Sequence, residues 1–160
     1  MMLARTPLVD LSPANTEFKR EVLQGFSANP KRMSPKFLYD RRGSKLFERI
    51  CEVEAYYPTR AEHEILKHGC REMAALLGRN VLLIEPGAGN GAKVRYLLDV
   101  LESPAAYVPV EISRDALVPM TNALAKRYPN LEIHPVCADY TKHLSLPEAL
   151  ANRGQKRVAC

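Results

Sequence analysis

The residues with the clearest chemistry form the run Glu85-Pro86-Gly87-Ala88-Gly89-Asn90-Gly91, acidic at its start, rich in glycine, and followed by Lys93. Glycines at such a bend let a ligand approach the backbone closely. Gly87, Gly89 and Ala92 also satisfy the relaxed dinucleotide pattern G-x-G-x-x-G/A, and Glu111 lies 20 residues past Gly91, where a ribose-binding carboxylate is expected. The glycines alone leave NAD and S-adenosylmethionine (SAM) as alternatives. The charges favour SAM. Glu85 would repel a pyrophosphate but suits a ligand that carries an ammonium and a sulfonium. Lys93, in the first turn of the next helix, can meet a methionine carboxylate where a helix N-terminus already favours anions. Asp139-Tyr140 can accept from an adenine amino group and flank its ring. SAM is therefore the expected cofactor, with Gly87, Gly89, Lys93, Glu111, Asp139 and Tyr140 as its contacts.

Each residue also has a plainer reading. Glu85 can be solvated at a strand end, Lys93 can be a surface lysine, and Tyr140 can be ordinary packing. Glu111 is harder to dismiss, because a carboxylate closing the apolar run Tyr107-Val108-Pro109-Val110 is costly to bury unless it has a partner.

These residues need a scaffold, and the patterning predicts one. Asn80 to Glu85 is a short apolar run of the kind buried in parallel sheets. Val94, Leu97, Leu98 and Leu101 give a helical stripe over Lys93 to Leu101. Ala106 to Ile112 predicts a second strand, Ser113 caps a helix with Leu117, Met120, Leu124 and Tyr128 on one face, and Leu131 to Cys137 predicts a third strand. This β-α-β-α-β alternation implies a Rossmann-like, doubly wound parallel sheet with its ligand crevice at the strands' carboxyl ends. After a helix-like stretch from Pro147 to Asn152, Lys156 to Cys160 looks like the opening of a fourth strand, so the sheet is expected to be truncated there. Without later strands, the first strand should be an exposed sheet edge.

The preceding residues predict helices. Phe18, Val22 and Phe26 recur every four residues, Ser44 can cap a helix carrying Leu46, Phe47 and Ile50, and residues 27–43 read as a basic, aromatic loop. Thr59 with Glu62 predicts a capping box for a helix carrying Leu66, Cys70, Met73 and Leu77, ended by Gly78. The domain expectation is a helical region, 1–79, contributing to a substrate pocket, followed by the first part of a SAM-binding domain, 80–160.

Composition bounds the function. An apolar content of 46%, with eight glycines and twelve prolines, excludes collagen-like and linker chains. No apolar run approaches the ~18 residues of a membrane span. Charges within residues 1–30 leave no apolar leader after the start methionine, so the cytoplasm is expected. Cys51, Cys70, Cys137 and Cys160 lack metal-ligand spacing and predict neither a zinc site nor disulfides; His63, His68, His134 and His143 are scattered. The net charge of +5 is interspersed with acids and reads as solvated surface, although Lys31, Arg32, Lys36, Arg41, Arg42 and Lys45 keep an RNA substrate open as an alternative.

Two further segments carry a family resemblance: Pro30-Lys31-Arg32-Met33-Ser34-Pro35-Lys36-Phe37-Leu38-Tyr39-Asp40-Arg41-Arg42-Gly43-Ser44-Lys45-Leu46-Phe47, and Glu54-Ala55-Tyr56-Tyr57-Pro58-Thr59-Arg60-Ala61-Glu62. With these the chain resembles the histidine-specific, SAM-dependent methyltransferases, which make trimethylhistidine (hercynine) in ergothioneine biosynthesis. The resemblance implies that Tyr56 contacts the substrate L-histidine, that Tyr39 lies near the same pocket, and that Gly87, Lys93, Glu111, Asp139 and Tyr140 contact SAM. It implies an α-amine methyltransferase needing no metal and no acid catalyst, with nucleic acid and membrane not expected as partners and a monomer expected at full length. The family pattern Glu-Leu-Gly-Ser-Gly-Thr is here Glu85-Pro86-Gly87-Ala88-Gly89-Asn90, and Glu111 stands where other members carry aspartate. Members are longer, so the chain is expected to be an N-terminal portion, incomplete and inactive alone.

Overall fold

The computed structural model describes residues 7–11, 15–142, 146, 150 and 156–160. Its centre is a sheet of five parallel strands: β1 (Val9–Asp10), β2 (Val81–Pro86), β3 (Ala106–Glu111), β4 (Val136–Cys137) and β5 (Lys156–Ala159), in the order β1-β4-β3-β2-β5. The helices are α1 (Asn15–Ser27), α2 (Arg41–Glu52), α3 (Pro58–Leu77), α4 (Val94–Leu98) and α5 (Arg114–Arg127), with a 3-10 turn at Pro35–Leu38.

The longest pairing joins β2 to β3, from Leu82 opposite Ala106 to Pro86 opposite Val110. Both strands are continuous apolar runs because both faces are covered. Leu83 and Tyr107 point into a core with Leu97, Leu98, Leu117 and Leu124 of α4 and α5, against which Met73 and Leu77 of α3 also pack. Leu82, Ala106, Val108 and Val110 point to the other face, where Leu150 is buried.

Several expected elements are redrawn by competing local chemistry. β2 is not a sheet edge: Val81 to Ile84 pair with Lys156 to Ala159 of β5. The third strand contracts to Val136–Cys137 plus one bridge from Ile133 to Tyr107. The helix after Lys93 is regular only over Val94–Leu98. A strand at Val9–Asp10, too short for periodicity to reveal, adds to β4. The expected loop 27–43 contains the 3-10 turn and the start of α2. Asp40, not Ser44, caps α2, its Oδ1 accepting from the Gly43 N–H at 2.7 Å. Thr59 does not cap α3, which begins at Pro58, whose fixed φ suits a first helical position. Most of the helix-like stretch from Pro147 to Asn152, and His143, lie outside the described residues. Among those described, no helix is long and apolar enough to cross a membrane.

Two helical glycines play opposite parts. A Cβ on Gly43 would stand 1.5 Å from the Leu38 carbonyl oxygen, so only glycine lets the 35–40 turn fold against α2. A Cβ on Gly69 would meet only the mobile end of Met73, at 3.3 Å. Gly43→Ala should therefore cost about 1–3 kcal/mol through overpacking, whereas Gly69→Ala should stabilise by roughly 0.5–1 kcal/mol through helix propensity. Urea unfolding of both variants checks this; equal effects would refute the close approach at Gly43.

Candidate active site

At the carboxyl ends of β2 and β3 the chain makes one organised bend. The N–H groups of Gly87 and Ala88 donate to the Val110 carbonyl at 2.8 and 3.2 Å, folding the loop after β2 back over β3. Gly87, Gly89 and Gly91 take positive φ of 75°, 53° and 68°, a region that penalises side chains. The Glu111 carboxylate, 7% exposed, accepts from the N–H of Gly89 at 3.0 Å and from that of Ser113 at 2.9 Å. Glu111 is thus the clamp between the glycine bend and the start of α5.

Glu85 is not solvated at its strand end. It is 5% exposed, and the Tyr107 hydroxyl donates to its carboxylate. Burial pushes its carboxyl from 4.5 up to about 7, against the opposing pull of that hydrogen bond and of Lys93. Lys93 itself pairs with Glu62 of α3 at 3.0 Å, so the carboxylate expected in a capping box reaches across to the glycine loop instead.

Beyond β4, Asp139 is buried and Tyr140 is half exposed. The Tyr140 ring lies over Gly87, its Cε1 3.6 Å from where a Cβ would project. The Asp139 Oδ1 accepts from the N–H and hydroxyl of Thr141, at 3.1 and 2.5 Å, and its Oδ2 from Lys36 Nζ at 3.2 Å. Burial raises this carboxyl, but the hydrogen bonds from Thr141 and Lys36 outweigh it and hold the group below its ordinary range.

The N-terminal region brings aromatic rings to the same edge. Phe47 of α2 makes edge contacts with Tyr39 and Tyr56, with ring centroids 5.8 and 6.2 Å apart. Burial, and then the nearness of Tyr140, Tyr56 and Glu111, raises the Tyr39 phenol above its ordinary value. Tyr56 is held by the turn before α3, where the Arg60 guanidinium donates to the carbonyls of Val53 and Glu54 at 3.2 and 2.5 Å. Tyr39 therefore lies near Glu111 and Tyr140, and Phe47 links it to Tyr56. Lys93 stands on the α3 side of the glycine bend, and Gly89 also lines a neighbouring cleft of about 350 Å³ between α2 and α5.

The sequence that builds this arrangement has known relatives. The histidine-specific, SAM-dependent methyltransferase family matches residues 18–160. The chain belongs to this family. Relatives agree: a histidine N-alpha-methyltransferase of Mycobacterium tuberculosis is 38% identical over 130 residues, covering 79% of this chain and 40% of that protein. Another of that name, from Mycolicibacterium smegmatis, is 35% identical over 147 residues, covering 90% of this chain and 46% of that protein. The ergothioneine biosynthesis protein 1 of Neurospora crassa is 34% identical over 114 residues, 69% of this chain and 13% of its own length. The chain thus spans less than half the length of these relatives.

Within this family member, residue-level reading missed Lys36, Phe47, Arg60 and Thr141. By sequence Lys36 belongs to the basic loop, but its side chain turns inward onto Glu21 and Asp139. The histidines take unrelated partners: His63 meets the Tyr96 hydroxyl, His68 the Glu64 carbonyl, and His134 the Glu132 carboxylate. Cys70 and Cys137 are buried, Cys51 is partly so and Cys160 is exposed.

The buried Glu85 gives stability a definite pH dependence. Above pH 4.5 the unfolded chain loses this proton, whereas the folded chain keeps it until about pH 7. Its contribution to stability therefore declines as pH rises through that window, by roughly 3 kcal/mol. Glu85→Gln should remove the decline, so its stability advantage over the parent should grow from pH 5 to pH 7 and then level off. Chemical unfolding at several pH values tests this; a constant difference would mean that the carboxyl titrates normally.

Proposed function

We propose that this chain supplies the SAM-binding edge and part of the substrate pocket of an enzyme that methylates the α-amine of L-histidine, stepwise to trimethylhistidine (hercynine). Residues 1–79 are the substrate-facing region and residues 80–160 the first part of the cofactor domain. The observation that supports this reading is the ring cluster of Tyr39, Phe47 and Tyr56, in which Tyr39 also lies near Glu111 and Tyr140.

The residues present fit SAM in their chemistry. Gly87 and Gly89 admit a ligand to the backbone, and the Glu111 carboxylate, with two backbone donors, retains lone pairs for a ribose diol. The Asp139 Oδ2 retains one for an adenine amino group, and Tyr140 offers a ring face. Lys93 would exchange Glu62 for the methionine carboxylate. Glu85, half neutral near pH 7, would be drawn into its ionised form by an ammonium group.

When bound, SAM supplies a methyl carbon made electrophilic by its sulfonium. The protein's part is then to hold the amine in line, and orientation alone is worth up to ~7–11 kcal/mol. Tyr56 and Tyr39 bind and orient histidine, with Phe47 buttressing both rings. Desolvation by this aromatic wall favours the neutral amine that can attack.

In the full-length protein, Tyr56→Phe should weaken histidine binding about tenfold while leaving S-adenosylhomocysteine within about twofold. Glu111→Ala should do the reverse. Calorimetry with each ligand decides: equal losses for both ligands in both variants, or NAD binding in place of S-adenosylhomocysteine, would end this reading.

A further inference from the structure

The Asp139 side chain is 4% exposed and its hydrogen bonds are unevenly shared. Thr141 supplies two donors to Oδ1, which fills that oxygen. Lys36 supplies one donor to Oδ2, which leaves Oδ2 as the place where a further N–H can bind. The lysine reaches it from the 3-10 turn, 103 residues away in sequence. Its side chain is 15% exposed and also bonded to Glu21 of α1 at 2.8 Å. Behind it, Phe18 of α1 meets Phe37 edge-on at 4.9 Å, so the turn is braced on both sides. Tyr39 follows three residues after Lys36.

We propose that Lys36 is a positioning residue for the cofactor's adenine end, fixing the one Asp139 oxygen with acceptor capacity and tying it to the turn that carries Tyr39. The inference rests on the reading of Asp139 as the acceptor for an adenine amino group. Nothing in it requires Lys36 to touch the cofactor. The pH behaviour follows from the charges around Asp139. Lys36 from the turn is bonded to Asp139, with Glu21 and Glu17 of α1 behind the lysine; Glu111 closes the neighbouring strand, and Lys142 follows three residues after Asp139 and pairs with Glu17. Removing the lysine removes one of the contacts that hold the Asp139 carboxyl below its ordinary range. The carboxyl then takes up a proton at higher pH, and a protonated Asp139 is a poorer acceptor.

The test is calorimetry of S-adenosylhomocysteine binding by the full-length protein, from acidic to neutral pH. Lys36→Met should weaken binding about tenfold at neutral pH and move the acid-side loss of affinity to higher pH. Lys36→Arg should restore both. In an Asp139→Asn background, Lys36→Met should change affinity by no more than about twofold, because the two residues act as one unit. Unchanged affinity in Lys36→Met, or the same loss persisting beside Asp139→Asn, would reduce Lys36 to a brace for α1 and overturn the proposal. Lys36→Gln takes the place of Lys36→Met if the latter does not fold. Failure of the underlying reading is separate: the parent protein would not bind S-adenosylhomocysteine, or Asp139→Asn would bind it as the parent does.

Discussion

The arrangement depends on a buried carboxylate at the end of an interior strand. Glu111 closes β3 among apolar neighbours, where an unpartnered charge would be prohibitive, and two backbone N–H groups resolve the problem. One belongs to the glycine bend after β2, the other to the residue that opens α5. A single side chain therefore joins two consecutive strand–helix turns. The bend can comply only because Gly87, Gly89 and Gly91 accept positive φ, and because Val110 takes two more of its N–H groups. Loop, strand end and helix start form one hydrogen-bonded unit.

Charge is arranged around that unit in a graded way. Glu111 is held by neutral backbone donors, Asp139 by a lysine and a threonine, and Glu85 by a tyrosine hydroxyl with Lys93 nearby. Asp139 lies below its usual range, and Glu85 rises to about 7 because burial outweighs the pull of its tyrosine donor and of Lys93. Three carboxylates on one sheet edge therefore do not repel a ligand equally. Two present settled acceptors, and the third adjusts to the charge that approaches it.

The central parallel strands, the glycine bend and the pair Asp139-Tyr140 were legible in the sequence because each is local. A continuous apolar run, a cluster of glycines and a carboxylate at a strand end all leave their mark within a few residues. Helix starts were less legible, since Ser44 and Thr59 satisfy a capping pattern but Asp40 caps α2 earlier in the chain and α3 begins at Pro58 with no side-chain cap. The shortest strands, β1 and β4, are shorter than any period. Lys36 was illegible in principle: its partner lies 103 residues away, and a lysine beside arginines reads as surface. Only family resemblance points to Tyr39 and Tyr56 as pocket residues, because an aromatic before a helix is more often packing than pocket.

Among the polar contacts that stitch residues 1–79 to the rest of the chain, three end at the candidate site. Lys36 reaches Asp139, the Ser44 hydroxyl reaches that of Ser113 at 3.3 Å, and Glu62 reaches Lys93. Each stitch ends on or beside a residue of the candidate site, and all three are polar contacts between side chains. If residues 1–79 face the substrate as proposed, substrate preference in such a scaffold is not a cassette. An N-terminal half transplanted from a relative with a different substrate would have to arrive with matching side chains at 36, 44 and 62, or the recipient's nucleotide edge would lose its registration along with the old specificity.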